Sequence, residues 1–370
     1  MPIPRRCWAL VALVCACAWA AAPQRRKNKE EQTQTLQLPK ELPGSVTAPT
    51  HQLAFHVTPL SAKGLLSPQI REALKALAHE SSGETVLKIR AFVAGSGDVR
   101  RVRDLVSEVF TERKQPLPVL TLVRAGGLPM EGAQVVLEAI ASARREVNPH
   151  GLAFISAQAA TSENPLDPVA PLAATSLTSL GQAIQAAGAQ PADVLRVTCF
   201  LSSLENLAAT RTLVETSYPR AAADFVQTQR SPSHAMAACE AVARLSSDPA
   251  NAVRLVDREG VPGESGQAQM ALVNAPELVL TGAQASFGFQ EQDARLAFER
   301  LQKELQQAGS SAQQVVFAHY YPLSQSIADQ VRRIRPEFFD RAHLPAGSLL
   351  LFEGLPSMDA GFAVDVVAVR

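Results

Sequence analysis

The sequence predicts an α+β protein in which one small unit occurs three times, with the copies arranged about a common axis inside a single chain. Three observations lead there: a β-rich run that recurs, a glycine-terminated helical pattern before each occurrence, and an acid at one fixed place in each closing strand. The runs are Val86–Val93 (VLKIRAFV), Val194–Leu201 (VLRVTCFL) and Val315–Pro322 (VVFAHYYP), whose starts lie 108 and 121 residues apart. Self-similarity at such a spacing marks one supersecondary unit used repeatedly.

Each unit opens with a strand. Phe154-Ile-Ser-Ala-Gln158 and Leu280-Thr-Gly-Ala-Gln284 are alike, whereas the first copy has only Leu53-Ala-Phe-His-Val57 and has lost the polar turn. An amphipathic helix follows. Its apolar positions are Ile70, Leu74, Leu77 and Ala78; then Leu177, Leu180, Ile184 and Ala187; then Ala294, Ala297, Phe298, Leu301 and Leu305. All keep helical spacing. Gly83, Gly188 and Gly309 stop these helices, because glycine takes the left-handed terminal conformation without steric cost. After the recurring strand comes a second helix. Val102, Leu105, Val106, Val109 and Phe110 mark it in the first copy, Leu207, Val214 and Tyr218 in the second, and Ile327, Val331, Ile334 and Phe338 in the third. Two further strands close the unit, the last being Val135–Ala141, Ala237–Ala243 and Phe362–Ala368. Glu138, Glu240 and Asp365 stand at the same place in them, 52, 46 and 50 residues after the start of the middle strand. This order puts both helices on one face of a sheet. The other face also needs cover, since units of this size bury too little alone. Three sheets around one axis supply it, so a monomeric pseudo-trimer is expected.

The boundaries that follow are a signal peptide at 1–20, a polar tether at 21–51 with no assigned structure, and copies at 52–145, 146–248 and 249–370. Arg5 and Arg6 precede an apolar run from Cys7 to Ala18, and Ala18-Trp19-Ala20 supplies the small residues of a cleavage site. The run is shorter than the roughly 20 residues that span a bilayer. Export, periplasmic or secreted, is therefore expected; a lipoprotein acylated at Cys17 is the alternative, to which Cys15 is a poor fit. Of five cysteines, only Cys199 and Cys239 remain in the mature chain. They read either as small buried hydrophobes or as a disulfide permitted by an oxidising compartment. A formal charge of zero gives no basic field for nucleic acid.

Phe154–Gln158, Ala187-Gly188, Val194–Leu201 and Cys239–Ala243 together resemble the RidA/YjgF family, the second copy most clearly and the first mainly through its siblings. The resemblance covers roughly residues 52–370. It implies a chorismate-mutase-like fold, a three-fold assembly with ligand clefts between neighbours, and hydrolysis of 2-imino or enamine acids to 2-keto acids and ammonia. It also implies an arginine on the penultimate strand for the substrate carboxylate, and an acid on the closing strand that positions water. A guanidinium fork suits bidentate carboxylate recognition, and a carboxylate near water can act as a general base.

This chain departs from that pattern. The matched arginine positions hold Leu120, Ala223 and Gly347, a loss worth on the order of 1.5–3 kcal/mol of carboxylate binding. Arg124 and Arg230 are near enough to reach a cleft, but a solvated or salt-bridged role is the favoured reading for both. Glu138, Glu240 and Asp365 are the candidate catalytic acids; the competing reading makes each a carboxylate accepting hydrogen bonds at a seam between copies. Ser156, Gln158, Gly282 and Gln284 are expected near the clefts with the three arginine-equivalent positions, the two glutamines also serving to hold their turns. No histidine pair or Cys-x-x-Cys has metal-ligand spacing, and no phosphate-cradling loop or nucleophile elbow is present, so no metal or cofactor is expected. His319 is expected in a core or seam. The favoured reading is a binding cleft for a small carboxylate metabolite with imine hydrolysis weakened or lost. A working deaminase and a non-catalytic scaffold are the alternatives.

Overall fold

The computed structural model describes residues 39–257, 266–340 and 343–370. The expected signal peptide and the first part of the tether lie outside the described residues. The first sheet is built from β2 (Leu53–Val57), α1 (Leu66–Glu80), β3 (Thr85–Val93), α2 (Arg100–Glu112), β4 (Val119–Arg124) and β5 (Val135–Ser142), after a short β1 (Ser45–Pro49). The second comprises β6 (Leu152–Ser162), α3 (Val169–Ala186), β7 (Val194–Leu201), α4 (Leu207–Ser217), β8 (Ala222–Gln227) and β9 (Ala235–Arg244). There follow β10 (Val253–Val256), β11 (Met270–Val273), β12 (Glu277–Thr281), β13 (Gln284–Phe287), α5 (Glu291–Gln307), β14 (Val315–Pro322), α6 (Gln325–Ile334), β15 (Ala346–Leu349) and β16 (Ala360–Val369). The molecule is thus mixed α+β, with several sheets and helices.

One strand order recurs: β2-β5-β3-β4, β6-β9-β7-β8 and β12-β16-β14-β15. The opening, closing and middle strands pair antiparallel in each, and the penultimate strand joins the middle one in parallel. The helices end where the glycines predict, with Gly83, Gly188 and Gly309 at φ +87°, +77° and +78°. Their apolar stripes are buried, apart from Ala78, which is half-exposed while Ala73 is buried in its turn.

Two parts of the sequence-based boundaries are corrected by the structure. Residues 45–49 of the supposedly structureless tether form β1, paired antiparallel to β12 from Ser45↔Thr281 to Pro49↔Glu277. Composition hides this because the strand is stabilised by hydrogen bonds to a distant edge, with Pro49 at its end where a missing N–H is tolerated. Leu42, also in the tether, is buried in the first core. The segment at the start of the third copy belongs elsewhere: β11 pairs with β6 and β10 with β11, so both extend the second sheet.

Each sheet has its own helix-facing core. Two further cores draw on all three sheets. One holds Phe55, Leu87, Phe154, Val242, Phe317 and Val367; the other holds Phe92, Val136, Phe200, Ala238, Tyr321 and Phe352. Period-two alternation explains this, since Lys88, Arg90 and Phe92 face away from the helices while Ile89, Ala91 and Val93 face them.

Candidate functional site

Between the two shared cores lies a buried layer of charge. Cross-strand register pairs Arg90 with Glu138, Thr198 with Glu240 and His319 with Asp365. All six are buried. Every acid of one sheet is met by side chains of the next. Glu138 of the first accepts from Thr198 Oγ1 of the second. Glu240 of the second accepts from Ser348 Oγ of the third and faces His319 Nε2 at 3.0 Å. Asp365 of the third is paired with Lys88 and accepts from Thr121 Oγ1, both of the first, the latter at 2.8 Å. Arg90 ties the ring across, donating from Nε to Glu138 at 2.6 Å and from Nη2 to Glu240 at 2.8 Å. Burial alone would raise the pKa of Glu240, but the charges of His319 and Arg90 overcome it and hold the carboxyl well below the usual range. Asp365 behaves likewise, with Lys88 and His319 outweighing burial.

The third equivalent of Thr121 and Ser348 is Asp224, on β8. Its carboxyl is buried near Glu138, and first burial, then the Glu138 charge, push its pKa up to about 8. The protonated form, which presents a hydroxyl as Thr121 and Ser348 do, is the one that burial and the Glu138 charge favour.

The three candidate acids thus stand together, buried and paired, and none of them lines the two clefts described next. One cleft, of about 590 Å³, lies between the first and third sheets and brings together Leu120, Gly282 and Gln284. Gly282 permits the approach, since a Cβ there would sit 2.9 Å from the Leu120 carbonyl oxygen. Arg100, Arg103 and Arg300 also line this cleft. Arg300 donates to the Ala285 carbonyl and lies 5.3 Å from the Phe287 ring centroid; Arg103 is 3.8 Å from Glu41, which the ordered tether residues bring to the same wall.

The second cleft, of about 200 Å³, lies between the second and third sheets and gathers Ser156, Gln158 and Gly347, with Arg332 at its edge. Ser156 Oγ accepts from Gly347 N at 2.8 Å and donates to Ala268 O. Gln158 Nε2 donates to Ser156 O, holding its own turn. Gly347 cannot carry a side chain in place, because a Cβ would collide with the Ala318 carbonyl. Ala223, the remaining arginine-equivalent, packs against the second core. Of the two substitute arginines, Arg124 is engaged with Gly95 O at 2.6 Å and Arg230 is exposed.

His319 lies at the seam, as its strand position suggests. Sequence reasoning missed Lys88, Arg90 and Arg196, the cations of the layer. The signal was there: charged residues at alternate positions of strands that are otherwise apolar. Cys199 and Cys239, directly opposed on β7 and β9 with Cα atoms 4.1 Å apart, form a disulfide. Among the described residues no cluster suited to a metal ion occurs, and no helix is long and apolar enough to cross a membrane.

No family model matches the chain, and no curated protein matches it in sequence. Solved structures similar to part of it include a Rid-family protein of Yersinia pestis, at 15% identity over 32% of this chain and 100% of that one, with a TM-score of 0.30. A member of the YjgF/YER057c/UK114 family from Mycobacterium tuberculosis is 20% identical over 32% of this chain and 99% of that one, with a TM-score of 0.24. A YjgF-family protein of Neisseria meningitidis is 13% identical over 32% and 94%, also with a TM-score of 0.24.

Proposed function

We propose that this chain is an exported, monomeric pseudo-trimer of three diverged RidA/YjgF-like copies, which binds a small carboxylate metabolite between the first and third sheets and has lost most imine hydrolysis. The observation that carries the reading is the 590 Å³ cleft itself, with Leu120 at the arginine-equivalent position and Arg100, Arg103 and Arg300 at other points of its lining. Its volume falls in the range of small-molecule sites, and its guanidinium groups suit an anionic ligand. The hydrolytic half of the ancestral chemistry is poorly supplied. The closing-strand acids spend their lone pairs on one another's sheets, which favours the seam role over general-base work. The buried Cys199–Cys239 disulfide agrees with export, since such bonds persist in oxidising compartments.

Thermal unfolding of residues 21–370 with a panel of small mono- and dicarboxylates tests the binding half, with a rise in Tm expected. Ammonia release from an enzymatically generated 2-imino acid tests the other half. Release at a rate well above the uncatalysed one would overturn the loss of hydrolysis, and no Tm shift with any acid would overturn the binding site and leave a scaffold.

A further inference from the structure

Next to the charge layer is a small axial cavity of about 20 Å³, lined by Lys88, Arg90, Arg196, His319 and Glu138, and on its other walls by Phe55, Ile140, Phe154, Phe317 and Val367. It is separate from both clefts. We propose that it holds one monovalent, weakly hydrated anion such as chloride, bound on the axis where the three sheets meet.

Three observations carry this. The first is size: the space admits a single particle of about the volume of a water molecule, and excludes a carboxylate metabolite or a sulfate. The second is unpaired donors. Arg90 and Arg196 are 3% and 5% exposed, yet Arg90 Nη1 and Arg196 Nε have no hydrogen-bond partner. A buried guanidinium N–H left alone is costly. The third is charge. Two guanidinium groups, Arg90 and Arg196, line the cavity against a single carboxylate, that of Glu138. The lining thus carries more fixed positive than negative charge, which suits an anion.

A water molecule suits the site less well. A buried water commonly makes about three hydrogen bonds, donating as well as accepting, and Glu138 is the single carboxylate among the lining side chains. An anion takes only donors, and its low hydration cost tolerates the phenylalanine walls. Arg196 already lies 5.7 Å from the Phe55 ring centroid, so the cation is held between aromatic and anion rather than free to swing away.

The test is a crystal of the intact mature chain grown in sodium bromide, with data collected at the bromine absorption edge. The expected result is an anomalous peak on the axis within hydrogen-bond reach of Arg90 and Arg196. Axial density without an anomalous signal at saturating bromide identifies water and overturns the proposal, as does an empty cavity. A second measurement needs no crystal: Tm in chloride or bromide against methanesulfonate, which is no carboxylate and is too large for the cavity, at equal ionic strength. A saturable rise specific to the halides is expected, and equal Tm values contradict it.

Discussion

The axial layer and the clefts use the same kinds of residue to opposite ends. On the axis, Arg90 is 3% exposed and shared between two carboxylates. In the cleft, Arg100 is 75% exposed and paired with neighbouring Asp98. On the axis a closing-strand carboxylate recurs in all three sheets, whereas the clefts differ in volume, arginines and turn chemistry. Burial accounts for the contrast. A charge on the axis cannot change alone without stranding its partner in a medium of low dielectric, while a cleft residue changes against solvent.

The largest expected effect is therefore on the axis. Arg90→Met removes the donor to Glu138 and Glu240 and should cost about 3–5 kcal/mol in urea unfolding; a loss below about 1 kcal/mol would erase the contrast. Next comes the disulfide. Replacing Cys199 and Cys239 together by alanine should cost about 2–4 kcal/mol, read by the same method.

Asp224 sharpens the comparison, because it is the axial carboxylic acid whose charge burial and then Glu138 disfavour. Its folded pKa of about 8 lies above the unfolded value near 4, so its contribution is complete below pH 4 and is lost as pH rises through 8. Asp224→Asn should gain about 1 kcal/mol or more at pH 9, progressively less as pH falls, and nothing at pH 4. Glu240 and Asp365 have the opposite sign. Their depressed pKa values supply stability above about pH 4 that disappears as acid protonates the folded state. The smallest stability effect belongs to the cleft: Arg300→Ala should change unfolding by less than about 0.5 kcal/mol while abolishing the carboxylate-induced rise in Tm. An unchanged ligand response would detach Arg300 from the site.

Much of this architecture is legible in local patterns. The helix faces, the three terminal glycines and the recurrent acids are written in spacing that short-range physics enforces. What sequence misses is long-range. The tether strand Ser45–Pro49 depends on an edge more than 200 residues away, which no local composition reveals. The alternating Lys88 and Arg90 resemble a solvent-facing strand until the other two sheets cover that face. The cleft arginines come from α2 and α5, where charged residues ordinarily mark a solvated surface, so no motif singles them out.

The central claim is that the closing-strand carboxylates fasten three sheets together rather than perform chemistry. Glu240→Gln tests it most directly, with urea unfolding and imino-acid turnover measured on the same preparation. The account predicts a loss of about 3 kcal/mol, because Arg90, His319 and Ser348 lose a charged partner, and no change in the rate of ammonia release. Wild-type stability combined with the loss of a measurable ammonia-releasing activity would contradict it.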